Sequence, residues 1–494
     1  MPPSLDRLRR DAKALHRAHA AGMSDARDRL RAHPPRPEGT GLRHADYLHV
    51  IAQEQGFESW PRLVFAAETI GLDRAGRQQA LKRALFHGRN WQVDRLLAET
   101  PDLAAGLFGL EVALLDRAAV ERRLAQDPAA ATREAGPRRP ILHLAFSRRI
   151  QAAPERRADM LAIAGLLLRH GADVNDAMPA APGSTGRLSA LYGALGHAGN
   201  LPLAEWLLAQ GADPNDGESL YHATELGHHD GLKLLMRHGV RVAGTNALAR
   251  MLDFDDLEGA RLLLDYGADP GEGLPALHHA ARRMRDGRFA RLLIAHGADP
   301  ARRWQGHSAY GLARIFGNAA FSEALAAAGH ATPLDASETA LAACAGGAPG
   351  ASLASLPLGP EDRLLIARLI QFPGRLAHAK ALAAAGLDPN AADETGLTPL
   401  QLAGWSGLPA AVDWLLACGP DLLHRNAYGG GIVETILHGA ENAPRPEGAD
   451  HAACLRAVLA AGAPVAPGLA QAATDPELAD LLEARRPAGL SSPR

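Results

Sequence analysis

The stretch Gly165-Leu166-Leu167-Leu168-Arg169-His170-Gly171-Ala172-Asp173-Val174-Asn175 is an apolar run closed by Gly-Ala-Asp, and the same phrase returns along the chain. It recurs as Trp206-Leu207-Leu208-Ala209-Gln210-Gly211-Ala212-Asp213-Pro214-Asn215, as Arg261-Leu262-Leu263-Leu264-Asp265-Tyr266-Gly267-Ala268-Asp269-Pro270 and as Arg291-Leu292-Leu293-Ile294-Ala295-His296-Gly297-Ala298-Asp299-Pro300. Weaker copies lie at Leu234–Val240, Ala385–Asn390 and Leu415–Gly419. In each, an apolar run closes a helix. Gly then takes the left-handed position that ends it, and Asp with Pro or Asn opens a turn. Upstream of each run a second, shorter helix is marked by Leu142-His143-Leu144-Ala145, Leu191-Tyr192-Gly193-Ala194, Leu220-Tyr221-His222-Ala223 or Leu277-His278-His279-Ala280-Ala281. The fullest copy is Gly396-Leu397-Thr398-Pro399-Leu400-Gln401-Leu402-Ala403-Gly404-Trp405-Ser406-Gly407. There Thr398 suits an N-cap and Pro399 the first turn.

Composition agrees with a chain of helices. Of its 494 residues, 47% are apolar but only 4% aromatic, so Ala and Leu dominate, and both lose little on entering a helix. A repeat protein grows in one dimension, so this length does not imply several conventional cores. The net charge of −3 lacks the basic excess of a dedicated nucleic-acid binder.

These phrases resemble the ankyrin repeat, whose Thr-Pro-Leu-His, Ala-Ala, Gly-His and Leu-Leu-Leu-x-x-Gly-Ala-Asp-x-Asn pattern is recovered piecewise over roughly residues 78–485. The resemblance implies an all-α solenoid of helix pairs with short or missing β-hairpin fingers. The family period is about 33 residues. Here Gly171 and Gly211 are 40 apart, Gly211, Gly239 and Gly267 are 28 apart, and Gly386 and Gly419 are 33 apart. Repeats of 28 residues have lost most of the finger, so around residues 212–270 the binding face is expected on the inner helices. Fingers are expected to return at Arg302–His307 and Ala392–Gly396.

Both ends depart from the repeat. Residues 1–75 are expected to form a small helical N-terminal domain that caps the first repeat. Leu5, Leu8, Ala12 and Leu15 share one helical face, Ser24 suits an N-cap, and Ser59 before Pro61 marks another helix start. The block Gly56-Phe57-Glu58-Ser59-Trp60-Pro61-Arg62-Leu63 resembles a helical segment that precedes the repeats in bacterial ankyrin proteins. The division expected is repeats over 78–330, a degenerate repeat or inserted loop over 331–360, repeats and a cap over 361–485, and a disordered tail over 486–494. Asn426-Ala427-Tyr428-Gly429-Gly430 resembles a recurrent bacterial arrangement that ordinarily continues into Thr-Pro-Leu; here Gly431-Ile432-Val433-Glu434 follows.

No motif for chemistry stands out. The chain has no Gly-x-x-x-x-Gly-Lys-Ser/Thr, Gly-x-Ser-x-Gly, His-Glu-x-x-His or Cys-x-x-Cys, the arrangements that phosphate cradling, nucleophilic catalysis or zinc binding require. The three cysteines, Cys344, Cys418 and Cys454, lie in helical text and read as small buried hydrophobes of a reducing compartment. His16 and His19 read as a solvated helix face, and His228 of His228-His229-Asp230 fills a structural slot of the repeat. His143 and His278 occupy the Thr-Pro-Leu-His slot, whose imidazole in the family ties neighbouring repeats together; Tyr192 and Tyr221 replace it in two repeats. No catalytic residue, cofactor or metal is expected.

Binding candidates are large side chains that the repeat does not need. Trp304 is expected exposed at a finger tip, flanked by Arg302 and Arg303, since Trp and Arg are enriched at binding hot spots. Arg282, Arg283 and Arg285 form a basic cluster on one inner helix, and Trp405 lies late on another. The expected function is a non-catalytic, cytoplasmic, monomeric bacterial scaffold that binds a protein on the concave face, with no nucleic acid or membrane partner. The alternative is a secreted or host-directed effector that uses the repeats for targeting. An enzyme hidden in residues 1–70 or 331–372 is a third reading.

Overall fold

Each repeat is built around two places where the backbone must leave the helix. A short inner helix ends in a left-handed residue, and an outer helix of eight to thirteen residues follows. Several outer helices begin on an Asn or Asp whose side chain accepts a backbone N–H of the first turn. Asp116 accepts from Ala119 at 3.0 Å, Asn200 from Leu203 at 3.2 Å, Asp256 from Gly259 at 2.8 Å and Asp450 from Ala453 at 2.8 Å. Each such cap is worth about 1 kcal/mol. The left-handed residue between the helices is glycine at Gly199, Gly317 and Gly407, but Leu115, Asp255 and Met284 hold it in three repeats. The cost to a side chain there is about 1–2 kcal/mol, so the geometry is imposed by the fold around it.

The computed structural model describes residues 4–37, 42, 44–181, 183–347, 352–443, 448–473 and 475–484. The expected tail at 486–494 lies outside them. Two compact units divide at Asp269 and Pro270.

The first unit opens with helices Leu5–Ala20, Ser24–Ala32, His44–Glu54 and Trp60–Thr69. Leu8, Ala12, Leu15, Leu30, Tyr47, Ile51 and Leu63 form their core. Ser59 and Pro61 start the last helix as the sequence suggests, but Met23, not Ser24, precedes the second. His16 and His19 are not a free polar face. His16 stacks on Tyr47 with ring centroids 4.5 Å apart, and His19 Nδ1 lies 2.9 Å from the Tyr47 hydroxyl. Phe65 then joins the core of the next helices with Leu81, Leu85, Val93 and Leu96. Beyond these the helix pairs stack, through Ser219–Ala223 with Asp230–Arg237 and Ala247–Asp253 with Leu257–Asp265.

This unit also has a finger outside the expected ones: Ala177–Pro179 pairs antiparallel with Arg187–Ser189, within the 40-residue interval from Gly171 to Gly211. Between residues 212 and 270 the described residues contain no strand, as the 28-residue spacing implies.

In the second unit, inner helix Ala276–Arg282 packs on Ala309–Ile315, and outer helix Gly287–Ala295 on Ala319–Ala327. Small residues set the distance between layers: a Cβ on Gly439 would lie 2.2 Å from the Trp405 carbonyl oxygen. Among its described residues the interval 331–360 holds the helix Ala336–Ala343, which packs on Ala309–Ile315 as another inner helix and runs into a 3-10 turn at Cys344–Gly346 that packs on Leu376–Ala385. The expected finger at Ala392–Gly396 is a turn rather than a hairpin, because the Asp393 carboxylate accepts the N–H groups of both Thr395 and Leu397 at 2.9 Å. All three cysteines are free. Cys344 and Cys454 are buried and Cys418 partly so, and burial pushes the Cys454 thiol up to about 12.

One core position carries the wrong chemistry. His378 of helix Leu376–Ala385 precedes the buried Leu382 by four residues, the place that Phe321 holds relative to Leu325. Its ring is 2% exposed, and neither nitrogen has a hydrogen-bond partner among the described residues. Burial, and then the Arg375 charge, lower its pKa to about 4. The unfolded chain takes that proton near pH 6.5, so stability is lost as pH falls from 6.5 towards 4. His378→Leu should therefore raise the stability measured by denaturant unfolding at pH 7 by about 1–3 kcal/mol, and the gain should widen towards pH 5. A gain that shrinks on acidification contradicts this.

Candidate protein-binding surface

Helix Ala276–Arg282 starts after Pro275 and buries Leu277, His278, Ala280 and Ala281. His278 Nε2 donates to the His307 carbonyl oxygen, 3.1 Å away, and so anchors the neighbouring hairpin. The helix leaves Arg282 at its end, beside that hairpin. The hairpin pairs Arg303 with Ser308 and Trp304 with His307. Gln305 and Gly306 form its tip with φ of 52° and 90°, the two positive angles that a two-residue hairpin loop demands.

This register corrects the expectation for Trp304. Residues opposite one another on an antiparallel pair share a face, and His307, the partner of Trp304, is buried. Trp304 therefore turns inward from the tip and is half-buried against the core. The Arg282 guanidinium lies 5.2 Å from its ring centroid, in cation–π range. Burial lowers the Arg282 pKa, against the pull of Glu361, but a guanidinium stays charged in proteins.

The other candidates separate into distinct groups. Arg302 is exposed and donates to the Gly271 carbonyl oxygen. Arg303 donates through Nε to the Gly306 carbonyl oxygen at 2.9 Å and lies 3.7 Å from Glu338. Arg283 and Arg285 are half-buried rather than a solvated face, and Arg285 Nε donates to the Arg283 carbonyl oxygen at 2.8 Å. Met284 between them is left-handed, which turns Arg285 off the helix line. Trp405 belongs to another repeat. It is half-buried, its ring centroid is 5.0 Å from that of His438, and its carbonyl oxygen accepts from His451. Thus the structure brings Arg282 and Trp304 together on one face, with Arg302 and Arg303 on the same hairpin, and sets Trp405 apart.

Below this surface lies a buried ionic bridge that the sequence did not reveal. His307 Nδ1 is 2.9 Å from Glu338 Oε1, and its Nε2 is 2.9 Å from Asp362 Oδ1. The other carboxylate oxygens cap helices: Glu338 accepts the Asp335 N–H at 3.0 Å and Asp362 the Gly359 N–H at 2.9 Å. Burial opposes a charge on His307, but Asp362 and Glu338 outweigh it and raise the pKa above the ordinary histidine value. Arg368 ties the next turn on, 3.3 Å from Glu361 and 2.8 Å from Glu394.

Sequence reasoning also missed Leu423 and Tyr428, which are 74% and 79% exposed on two successive turns. The Asn426 side chain fixes the Tyr428 turn by accepting the N–H groups of Tyr428 and Gly430 at 3.0 and 3.1 Å. In the first unit, Arg250 lies over Tyr221 at 5.0 Å and Phe254 at 4.6 Å. The signal available for these was the one used for Trp304, a large side chain where the repeat needs none.

Residues 191–273 match the family model described as ankyrin repeats (3 copies). Residues 191–273 are ankyrin repeats. No curated protein matches the chain. Among solved structures, it is similar to the human ASB11 ankyrin repeat domain at 20% identity, covering 50% of this chain and 99% of that one with a TM-score of 0.22. The ankyrin repeat domain of Bcl-3 matches at 18% identity, 44% and 92% coverage and a TM-score of 0.21. A chain from the Bdellovibrio bacteriovorus Bd0816 predatory endopeptidase in complex with immunity protein Bd3460 matches at 19%, with 40% and 93% coverage and a TM-score of 0.19. Ankyrin repeats are protein-interaction modules and generally non-catalytic. Among the described residues no helix is long and apolar enough to cross a membrane, and no group of His, Cys, Asp and Glu is arranged to hold a metal.

The His307 bridge has a definite pH signature. A histidine whose folded pKa is raised contributes stability fully below its unfolded value, about 6.5, and loses it as pH rises through the folded pKa. The stability advantage of the wild type over His307→Gln, measured by denaturant unfolding, should be largest near pH 6 and shrink towards pH 9. A difference that grows with pH refutes the bridge.

Proposed function

We propose that the chain is a non-catalytic scaffold that binds a protein partner on the inner-helix face of its ankyrin repeats, with Arg282 and Trp304 as the anchor. The observation that carries this reading is the Arg282 guanidinium. It is partly desolvated, held on the Trp304 ring, and has no hydrogen bond or ion pair with a carboxylate among the described residues. Exposed salt bridges are worth little because water competes for both ions. An arginine already desolvated and oriented loses less on pairing, so it suits a carboxylate or carbonyl group of a docked protein. Arg302 and Arg303 on the same hairpin extend the basic surface. Arg283, Arg285 and Trp405 are secondary contacts in this reading, and Tyr428 and Leu423 offer apolar area on two successive turns.

Partners recovered from a native lysate provide the test. Trp304→Ala and Arg282→Ala should each weaken a recovered partner by about 2 kcal/mol, roughly thirtyfold, as central hot-spot residues do. An outer-helix control, Glu323→Ala, should leave it unchanged. Recovery of every partner at wild-type level by both variants would remove the site from this face.

A further inference from the structure

The first unit contains a group of cations that the proposed surface does not use. Lys82 and Phe86 lie four apart on helix Arg74–His87, hence on one face. The Phe86 ring stacks nearly parallel to Phe146 at 6.1 Å, and the Arg138 guanidinium lies over both rings at 5.2 and 5.3 Å. The next inner helix ends in a π turn at Gly193–His197. There His197 Nε2 donates to the Phe86 carbonyl oxygen at 2.9 Å, and the His197 carbonyl oxygen accepts from Arg148 Nε at 2.8 Å.

The charges here do not cancel. Arg138 and Lys82 have no hydrogen bond or ion pair from their side chains among the described residues, and Arg138 Nε is buried without a partner. Arg148 is held by a backbone carbonyl rather than a carboxylate. Burial, with Arg138 and Lys82 beside it, lowers the His143 pKa to about 4; burial, with Arg148, Arg138 and His87 beside it, does the same to His197. Both rings are neutral at pH 7, so they solvate the site without adding charge. Of the carboxylates nearby, Asp127 is already held by both Nη atoms of Arg133 at 3.0 and 3.1 Å, and Glu134 is exposed on the lining loop.

A cavity of about 280 Å³ opens against this cluster, lined by Lys82, Arg123, His143, Gly109 and Ala135 together with the Arg133–Asp127 pair. Arg123 donates to the Gly106 carbonyl oxygen at 3.2 Å, which aims its guanidinium along the wall. Gly109 makes room for the hydrogen bond between His143 Nε2 and the Ala135 carbonyl oxygen on the cavity wall, since a Cβ there would lie 2.6 Å from that nitrogen.

We infer that this cavity binds a phosphomonoester group. A single carboxylate would neutralise one cation and leave the others desolvated. A phosphomonoester brings roughly −1.5 to −2 charge and three acceptor oxygens, which Lys82 and Arg123 on the wall match in charge, with Arg138 outside the lining but near enough to act on His143. Arginine supplies planar donor pairs and lysine a point charge, the two modes in which proteins hold phosphate. The group can come from a phosphorylated protein segment or from a small phosphate-bearing molecule. This site is separate from the Arg282–Trp304 surface and does not depend on it.

Calorimetric titration of the full chain tests the assignment, with inorganic phosphate, an alanine-flanked phosphoserine peptide and its unphosphorylated form as probes. The expected result is saturable binding of phosphate and phosphopeptide, at least tenfold weaker in Lys82→Met and in Arg123→Met and unchanged in Arg282→Ala. A phosphopeptide at least tenfold tighter than inorganic phosphate identifies a protein source; equal affinity identifies a small molecule. Lys82 makes no internal bond, so Lys82→Met with a wild-type circular dichroism spectrum remains decisive if Arg123→Met folds poorly. No saturable phosphate binding by the wild type overturns the assignment. So does wild-type affinity in folded Lys82→Met, or equal binding of the unphosphorylated peptide.

Discussion

A helix pair of this size cannot bury its apolar residues against itself. Its inner and outer helices meet along one edge, and their remaining apolar faces stay wet until another pair stacks on them. Everything regular in the structure follows from that requirement. Leu207, Leu263, Leu293 and Leu325 recur as fully buried residues of outer helices because each must fill the space between neighbours. Burying such a side chain is worth about 1.5–3 kcal/mol. The Asn and Asp caps and the left-handed turns hold each pair at the spacing that stacking needs. Asn318 shows the link most directly: its side chain starts its own outer helix and also donates to the Arg285 carbonyl oxygen of the preceding repeat at 2.8 Å.

The same constraint explains what could be read from the sequence. Apolar runs closed by Gly-Ala-Asp, the small residues of the inner helices and the Thr398-Pro399 start obey local rules, so the helix pairs were visible residue by residue. The loss of fingers at 28-residue spacing was visible too, since a chain cannot project what it lacks. Features that depend on pairing across tens of residues were not. The hairpin Ala177–Pro179 with Arg187–Ser189 left only a length excess as its trace. Trp304 could be placed on the right hairpin, but its inward turn depends on register with His307, which no local signal gives. His307, Glu338 and Asp362 come from three separate segments, and nothing in their individual surroundings announces that they meet.

The interior of the second unit is held by buried ionic groups. Its ionic groups are mostly satisfied internally: His307 between two carboxylates, each of which also caps a helix, and Arg368 between Glu361 and Glu394. Breaking such a buried pair strands the remaining charge, so these residues fix the hairpin and the helices around it. Arg282 stands out against that background because the same surroundings leave it with an aromatic ring and no carboxylate. That contrast is what the proposed surface is built on.

Hydrogen exchange of the chain alone and bound to a captured partner tests that account most directly. It predicts new protection at residues 276–283 and 302–308, with outer helices Gly287–Ala295 and Ala319–Ala327 unchanged. Protection concentrated on those outer helices, or on the N-terminal helices between Leu5 and Thr69, would contradict it.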